Sequence, residues 1–547
     1  MSEQVSDQVP DVPPQGSAGE PDGGDGATRR PLRFAAMATL SLGVSLVIMD
    51  ATIVNVALPV VIEEVGLTAS DAQWMNAVYS LVFASLMLTV GRIGDTFGRR
   101  RLYAIGLVVF MLASLVAGLA GSAGVLVGAR VVQGLGAAMV LPSTLSTLNA
   151  MFSGRERGIA FAIWGSTIGG MAALGPLVGG WLATDVSWRW AFWLNIPFGI
   201  LTLVGIRRTL VETRDTSLAR GLDLGGVLLS ALGVGGIVFG LIEGQYYGWW
   251  TQDSGALSPV PVALVLGAVL LAAFVPYERS RVRQGRVALV DLGLLRIPSF
   301  RYGVVAALVV ALGEFGLLFT LPLLLEGALG YSALGAGALL VWLALGTFVV
   351  SGATPRLTAA MGQRAVVRTG LFLETLAVGV LALVLSRDVP GWLLGLDLFV
   401  YGVGVGMATA QLTAVILSQV PVAESGQASG FQTTVRQLGS ALGVALLGGL
   451  LIAQLTTMTS DRLAADGVPA DRREPVVTAV HESVGAAIPA LAANPATAPA
   501  ADSAAGALVD ASRVTTGVAA GVLAIGLLAT LALPSDAGTP AARRREE

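Results

Sequence analysis

The chain has 547 residues, of which 54% are apolar and only 13% charged, with a mean hydropathy of +0.75 and a net charge of −3. Soluble domains carry about a quarter charged residues, so most of this chain's surface must face lipid. No cysteine and a single histidine, His481, exclude a disulfide framework and a thiolate or His-based metal cluster and argue against a Ser–His relay, and so small a net charge leaves no footprint for nucleic acid.

Residues 1–33 are polar, acidic and rich in Pro and Gly, and read as a disordered tail that ends in Arg29, Arg30 and Arg33. A spanning helix needs about 20 mostly apolar residues. By that measure six spans fall near 34–60, 72–90, 102–121, 124–148, 158–183 and 189–207. A pair follows near 222–243 and 257–276, then six more near 302–325, 330–352, 366–386, 391–417, 429–453 and 514–533. The expected fold is therefore an all-α polytopic membrane protein of about fourteen transmembrane helices. It divides into an N-terminal six-helix half (34–207), an inserted helix pair (222–276), a C-terminal six-helix half (302–533) and a tail (534–547). Segment 454–513, rich in Ala and Pro, reads as a long mobile loop with a short helix near 474–488 at most.

Charge predicts the sidedness. Arg recurs in connections 91–101, 149–157, 208–221, 277–301 and 353–365 and in the final Arg543–Arg545, and is nearly absent from the alternate connections until 454–513. Arg-rich short loops stay in the cytoplasm, which places both termini inside and 454–513 outside.

The most informative connection is Gly91–Arg101, GRIGDTFGRRR. Shifted by 264 positions it falls on Pro355–Arg364, pairing Arg92 with Arg356, Gly98 with Gly362 and Arg100 with Arg364, while Asp95 meets Ala359. Each copy follows the second helix of a half, which points to an internal duplication of the kind that places a transport site between repeats. Gly91, Arg92, Asp95, Gly98, Arg99 and Arg100 are expected to form a conformational latch, with Asp95 pairing with a helix N-terminus and the Arg residues bridging to acids or lipid phosphates.

Charges inside apolar runs are costly and functional by default. Asp50 lies nine residues before Pro59, about 14 Å below the outer end of the first span, and Arg130 lies about 9 Å into the fourth. If those helices are neighbours the two meet, and an acid that releases an Arg on protonation couples protons to conformation; a static ion pair is the other reading. Glu314, about 20 Å from Arg301, is a second candidate for proton or cation binding. Glu374 and Asp397 are expected to reach interfacial water, Glu243 and Glu326 to be solvated at outer helix ends, and Arg436 either to snorkel or to bind an acid. Gly175, Pro176, Gly179 and Gly180 supply small residues four apart around a bend. Asn55, Trp74, Tyr79, Trp164, Trp342 and Gln411 are candidates to line a central cavity suited to amphipathic or cationic molecules.

With these residues in hand the chain resembles the major facilitator superfamily, specifically its fourteen-span drug–proton antiporter branch. The resemblance rests on six stretches in order: Met49–Pro59, Gly91–Arg101, Leu126–Pro142 with its buried Arg130, Gly170–Leu182, Trp188–Pro197 and Val290–Phe300. Thr96 departs from it, standing where the signature loop usually has a basic residue. The resemblance implies a monomeric, gradient-driven exporter of drugs or antibiotics, without cofactor or metal, whose partners are protons, membrane lipid and a small molecule. The alternative on the same fold is a transporter of one endogenous metabolite or lipid. No enzyme site is expected, since no His, Cys or clustered carboxylate appears. The absence of Lys, with high Ala and Gly, suggests a GC-rich bacterial genome and hence the bacterial cytoplasmic membrane.

Overall fold

The computed structural model describes residues 25–67, 69–214, 223–244, 247–251, 257–421 and 424–533. Most of the expected N-terminal tail (1–24) and the whole tail 534–547 lie outside the described residues, and helix already runs from Asp25. The N-terminal half comprises α1 (Asp25–Val65), α2 (Ala69–Phe97), α3 (Arg99–Gly118), α4 (Ala123–Met151), α5 (Gly154–Trp181), the single turn α6 (Trp190–Trp193) and α7 (Asn195–Thr209). The pair α8 (Leu224–Glu243) and α9 (Pro259–Arg283) comes next. Then follow α10 (Pro298–Gly327), α11 (Ala333–Met361), α12 (Gln363–Val384), α13 (Gly391–Ile416), α14 (Ser425–Ala465), α15 (Ala470–Glu482), α16 (Ile488–Ala493) and α17 (Ala498–Ala529). Apolar runs this long become helices because a spanning segment must satisfy every backbone polar group within itself.

Among the described residues twelve helical segments are each long and apolar enough to span, and α11 makes a thirteenth across a 51° bend between Val350 and Gly352. The 28-residue α5 packs among α1, α11 and α13 and completes the set of fourteen. In the N-terminal half α4 packs on α2 and α3, and α1 on α5 and α7. In the other half α13 packs on α11 and α12, and α17 on α10, α12 and α14. The halves meet where α2 lies on α14 and α5 on α11 and α13, and the α8–α9 pair leans on α2 and α14.

The duplication is visible in the backbone. Gly98 (φ 115°) and Gly362 (φ 83°), 264 residues apart, hold the left-handed turn that starts α3 and α12, a conformation that costs Gly nothing. Eight residues on, Gly106 and Gly370 again match. A Cβ on either would lie within 3 Å of a glycine carbonyl on the next helix, that of Gly136 or Gly404.

Segment 454–513 corrects the expectation of a mobile loop. The 41 residues of α14 rise about 61 Å and the 32 of α17 about 48 Å, well beyond a hydrocarbon core of about 30 Å. Their projecting ends enclose α15 and α16 around a separate core of Leu455, Leu463, Val476, Val480, Ile488 and Leu508. Arg462 pairs with Asp510, and Arg387 reaches Asp502 at 2.6 Å. Ala hides such helices from a hydropathy window, yet it is the best helix former and lets neighbours approach closely.

Candidate functional site

Asp50 of α1 is fully buried and is the centre of a polar network drawn from five helices. Arg130 Nη1 of α4 donates to its Oδ2 at 2.6 Å. Gln133 Nε2, one turn along α4, and Asn195 Nδ2 of α7 donate to its Oδ1 at 3.1 and 2.8 Å. The same two amides also donate to Ser114 Oγ of α3, at 2.8 and 3.1 Å. From α2, the Met75 carbonyl accepts from Arg130 Nε at 3.2 Å, and the Tyr79 ring lies 4.3 Å beneath the guanidinium. A buried ion pair persists only when its remaining donors and acceptors are met, and here neutral amides meet them. Loss of one charge would leave α1, α2, α3, α4 and α7 facing an uncompensated ion. Gln133 and Asn195 escaped the sequence reading because hydropathy does not flag amides, although both lie in stretches that carry the family resemblance.

At the Arg-rich end the two halves are tied together. Asp95 of α2 is fully buried and accepts from the backbone N–H of Gly426 at 3.0 Å and of Gln427 at 2.9 Å, in the first turn of α14. Arg99 Nε and Nη2 close on Asp95 Oδ1 at 3.0 and 2.7 Å. The carboxylate thus sits on the positive end of a helix in the opposite half, a favourable place for an anion. Its approach depends on glycine, since a Cβ at Gly91 would lie 2.4 Å from the Gly426 carbonyl. Two further bonds cross here, Asn149 Nδ2 to Ser425 Oγ at 2.9 Å and Gln411 Nε2 to the Gly158 carbonyl at 3.1 Å. Arg100 and Arg101 present their backbone N–H groups to Glu212 at 3.1 and 3.2 Å, so an acid beyond α7 caps α3. Gln427 Oε1 in turn accepts from Asp291 N at 3.0 Å, which draws the Val290–Phe300 stretch into the same junction.

A third cluster lies inside the C-terminal half. Glu314 of α10 accepts from Thr409 Oγ1 of α13 at 3.0 Å and from Arg436 Nη2 of α14 at 3.2 Å, so Arg436 binds an acid rather than snorkelling. These residues, with Thr413 and Gln432, line a void of about 10 Å3, room for about one water.

Two regions of the chain, residues 40–223 and 219–444, match the sequence profile of the Major Facilitator Superfamily. The chain belongs to that superfamily. It is 33% identical over 447 residues to a probable actinorhodin transporter of Streptomyces coelicolor, covering 78% of this chain and 75% of that one. The puromycin resistance protein pur8 of Streptomyces alboniger is 35% identical, with 76% and 81% covered. The multidrug efflux pump LfrA of Mycolicibacterium smegmatis is 32% identical, with 87% and 91% covered. In fold it is similar to the human organic anion transporter MFSD10 (TM-score 0.59, 15% identity, 91% and 99% covered) and to the proton:xylose symporter XylE (TM-score 0.56, 14% identity, 91% and 95% covered).

On this major-facilitator frame the remaining candidates fall in different places. Gly175 and Gly179 of α5 press on α1: a Cβ at Gly179 would lie 2.9 Å from the Ile53 carbonyl, and one at Gly175 would strike the Thr52 hydroxyl. Gly180 is half-buried on the same helix. The side chains of Pro176 and Asn55 lie outside the described residues. Gly179→Val is expected to cost about 1–3 kcal/mol through overpacking and to lower the thermal midpoint. Gly170→Ala, where nothing lies within 4 Å, should leave it unchanged or raised. Tyr79 belongs to the Asp50 network, and its hydroxyl donates to the Val47 carbonyl at 3.3 Å. The Trp74 ring lies 5.8 Å from that of Phe239 of α8, tilted by 32°, and Trp164 is buried edge-on to Phe161. Gln411 serves the junction between halves.

Trp342 is a correction. It is 49% exposed and shares an apolar stripe with Leu345, Phe348 and Val349 that faces outward from α11, the lipid side rather than a central cavity. Three acids also differ from expectation. Glu374, Asp397 and Glu243 are buried; for Glu374 the reason is the close approach of α13, whose Gly404 packs directly on it. Glu374 lies within electrostatic range of Glu314 and Arg436. Glu326 is exposed, as expected. Trp188 and Arg189 donate to Glu64 at 2.9 and 3.0 Å and hold this exposed carboxyl below the usual carboxylate range. Stretch Trp188–Pro197 thereby fastens the C-terminal end of α1 and, through Asn195, its middle.

Proposed function

We propose that this chain exports hydrophobic or cationic drugs or antibiotics across the bacterial cytoplasmic membrane, exchanging them for protons by alternating access. The observation that carries this reading is the buried Asp50–Arg130 pair. Ionisable groups are kept inside a membrane protein at a cost of at least about 2.5–3.5 kcal/mol each, and this pair ties α1 to α4 within the N-terminal half. Protonation of Asp50 from the outside cancels its charge, releases Arg130 to the surrounding amides and the Tyr79 ring, and biases the halves toward the opposite state. Glu314 with Arg436 repeats the acid–Arg arrangement in the second half and serves as a second proton or cation station. The latch at Asp95 holds the cytoplasmic end shut in the outward-facing state. Both termini lie in the cytoplasm, the protein works as a monomer, and the proton gradient supplies the energy. The names of the relatives, which include resistance proteins and a multidrug pump, support drugs as cargo.

Everted vesicles containing the protein test this reading with ethidium as a lipophilic cation. Uptake is expected when the lumen is acidified and should fall to the vector level when the pH gradient is collapsed. Uptake that persists without the gradient would sink proton exchange.

A further inference from the structure

At the Arg-rich end of the C-terminal half, α12 carries Arg364 and Arg368 one helical turn apart. Arg364 Nη2 donates to the Leu531 carbonyl at 2.8 Å, and Arg368 Nη2 to the Thr530 carbonyl at 3.3 Å, so both guanidinium groups straddle the end of α17. Among the described residues neither has a carboxylate within ion-pair distance. Like charges at this spacing repel, and the negative end of a helix offsets that only in part.

The equivalent place in the first half is filled differently. There Glu212, just beyond α7, receives the N–H groups of Arg100 and Arg101, and Arg101 Nε lies 3.7 Å from it. Shifted by 264 positions, Arg100 becomes Arg364, while Arg101 becomes Ala365 and Arg368 stands where the first copy has Ala104; the second copy thus carries its cations at 364 and 368 and lacks a counterpart of Glu212 among the described residues. Beside them opens a groove of about 370 Å3 lined by Arg368, Thr369, Phe372, Leu527, Leu528 and Leu531. Phe372, Leu528 and Leu531 are each more than half exposed and form an apolar wall leading from the arginines toward the membrane interior.

We infer that this groove binds one anionic glycerophospholipid of the cytoplasmic leaflet, its phosphodiester on Arg364 and Arg368 and an acyl chain along Phe372, Leu528 and Leu531. The inference rests on the inward placement of the Arg-rich end and is independent of the cargo. Guanidinium groups match phosphate oxygens in geometry and charge, and basic pockets between helices on this side suit anionic headgroups. The apolar wall favours a lipid over a free anion, which would leave it bare. It also favours a lipid over the chain's own acidic residue beyond Leu533, Asp536.

The test measures the thermal midpoint of the detergent-solubilised full chain with dioleoyl-phosphatidylglycerol, dioleoyl-phosphatidylcholine or inorganic phosphate added. Phosphatidylglycerol is expected to raise the midpoint of the wild type by several degrees more than phosphatidylcholine, because a ligand that binds only the folded state stabilises it. The double variant Arg364→Gln/Arg368→Gln should abolish the difference. Leu528→Trp, which fills the groove and leaves both arginines in place, should reduce it. If the double variant does not fold, Leu528→Trp decides alone. An equal response in wild type and Leu528→Trp, or an equal response to inorganic phosphate, overturns the site. A lipid response that appears only after removal of residues 534–547 assigns the groove to the chain's own tail and overturns it as well.

Discussion

Asp50→Asn is expected to abolish gradient-driven efflux and to destabilise the protein, whereas Asp50→Asn combined with Arg130→Gln should recover stability without recovering efflux. The single change leaves Arg130 as a buried charge whose partner at 2.6 Å is gone, a loss of about 3–5 kcal/mol. The double change leaves two neutral groups beside Gln133 and Asn195, the bonding partners of the pair, and neutral replacement of a buried ion pair is often without cost. A group that merely holds helices in register would behave differently, since repairing stability would repair transport. Thermal unfolding read beside drug susceptibility in an efflux-deficient host makes the comparison. Recovery of both by the double variant would falsify a coupling role for the pair.

The second large effect is expected at the latch. Asp95→Ala removes two charge-assisted bonds to the start of α14 and the partner of Arg99. At about 1.5–3 kcal/mol for each bond to a charged group, the closed state loses about 3 kcal/mol or more. That is on the order of a hundredfold in the balance between open and closed ends. The chain has no cysteine, so a single reporter is simple to introduce. Ser429→Cys, on the first turns of α14 and fully buried behind the latch, should react slowly with maleimide applied from the Arg-rich side in the parent. In the Asp95→Ala background it should react many times faster. Equal rates would show that the junction at Asn149 and Gln411 closes this end unaided.

The parts of this architecture legible in the sequence are those that break a pattern. Asp50, Arg130 and Glu314 interrupt apolar runs, and Gly98 and Gly362 mark the duplicated turn. Ser114, Gln133, Asn195 and Thr409 are neutral, so they do not interrupt the hydropathy pattern, and their partners become visible only when the helices are assembled. Trp342 was misplaced because α11 is apolar on every side, so periodicity carries no information about its rotation. The partner of Arg436 depended on which helix stands opposite, a tertiary fact. Of segment 454–513 only α15 was legible, near the expected 474–488; the extensions of α14 and α17 were not, because α17 presents Ala501, Ala504, Ala505, Ala507 and Ala511 to the shared core, and so small a side chain gives no clear stripe.

One consequence follows from the length of α14. A single uninterrupted helix receives Asp95 at its first turn, carries Arg436 about three turns further on and ends at Ala465 in the cap, where Arg462 is paired with Asp510. The cap and the Asp95 junction are therefore two ends of one rigid rod. In the orientation proposed above the cap lies outside the cell, so an antibody fragment that clamps it is expected to stall the junction on the far side of the membrane without touching the cargo path.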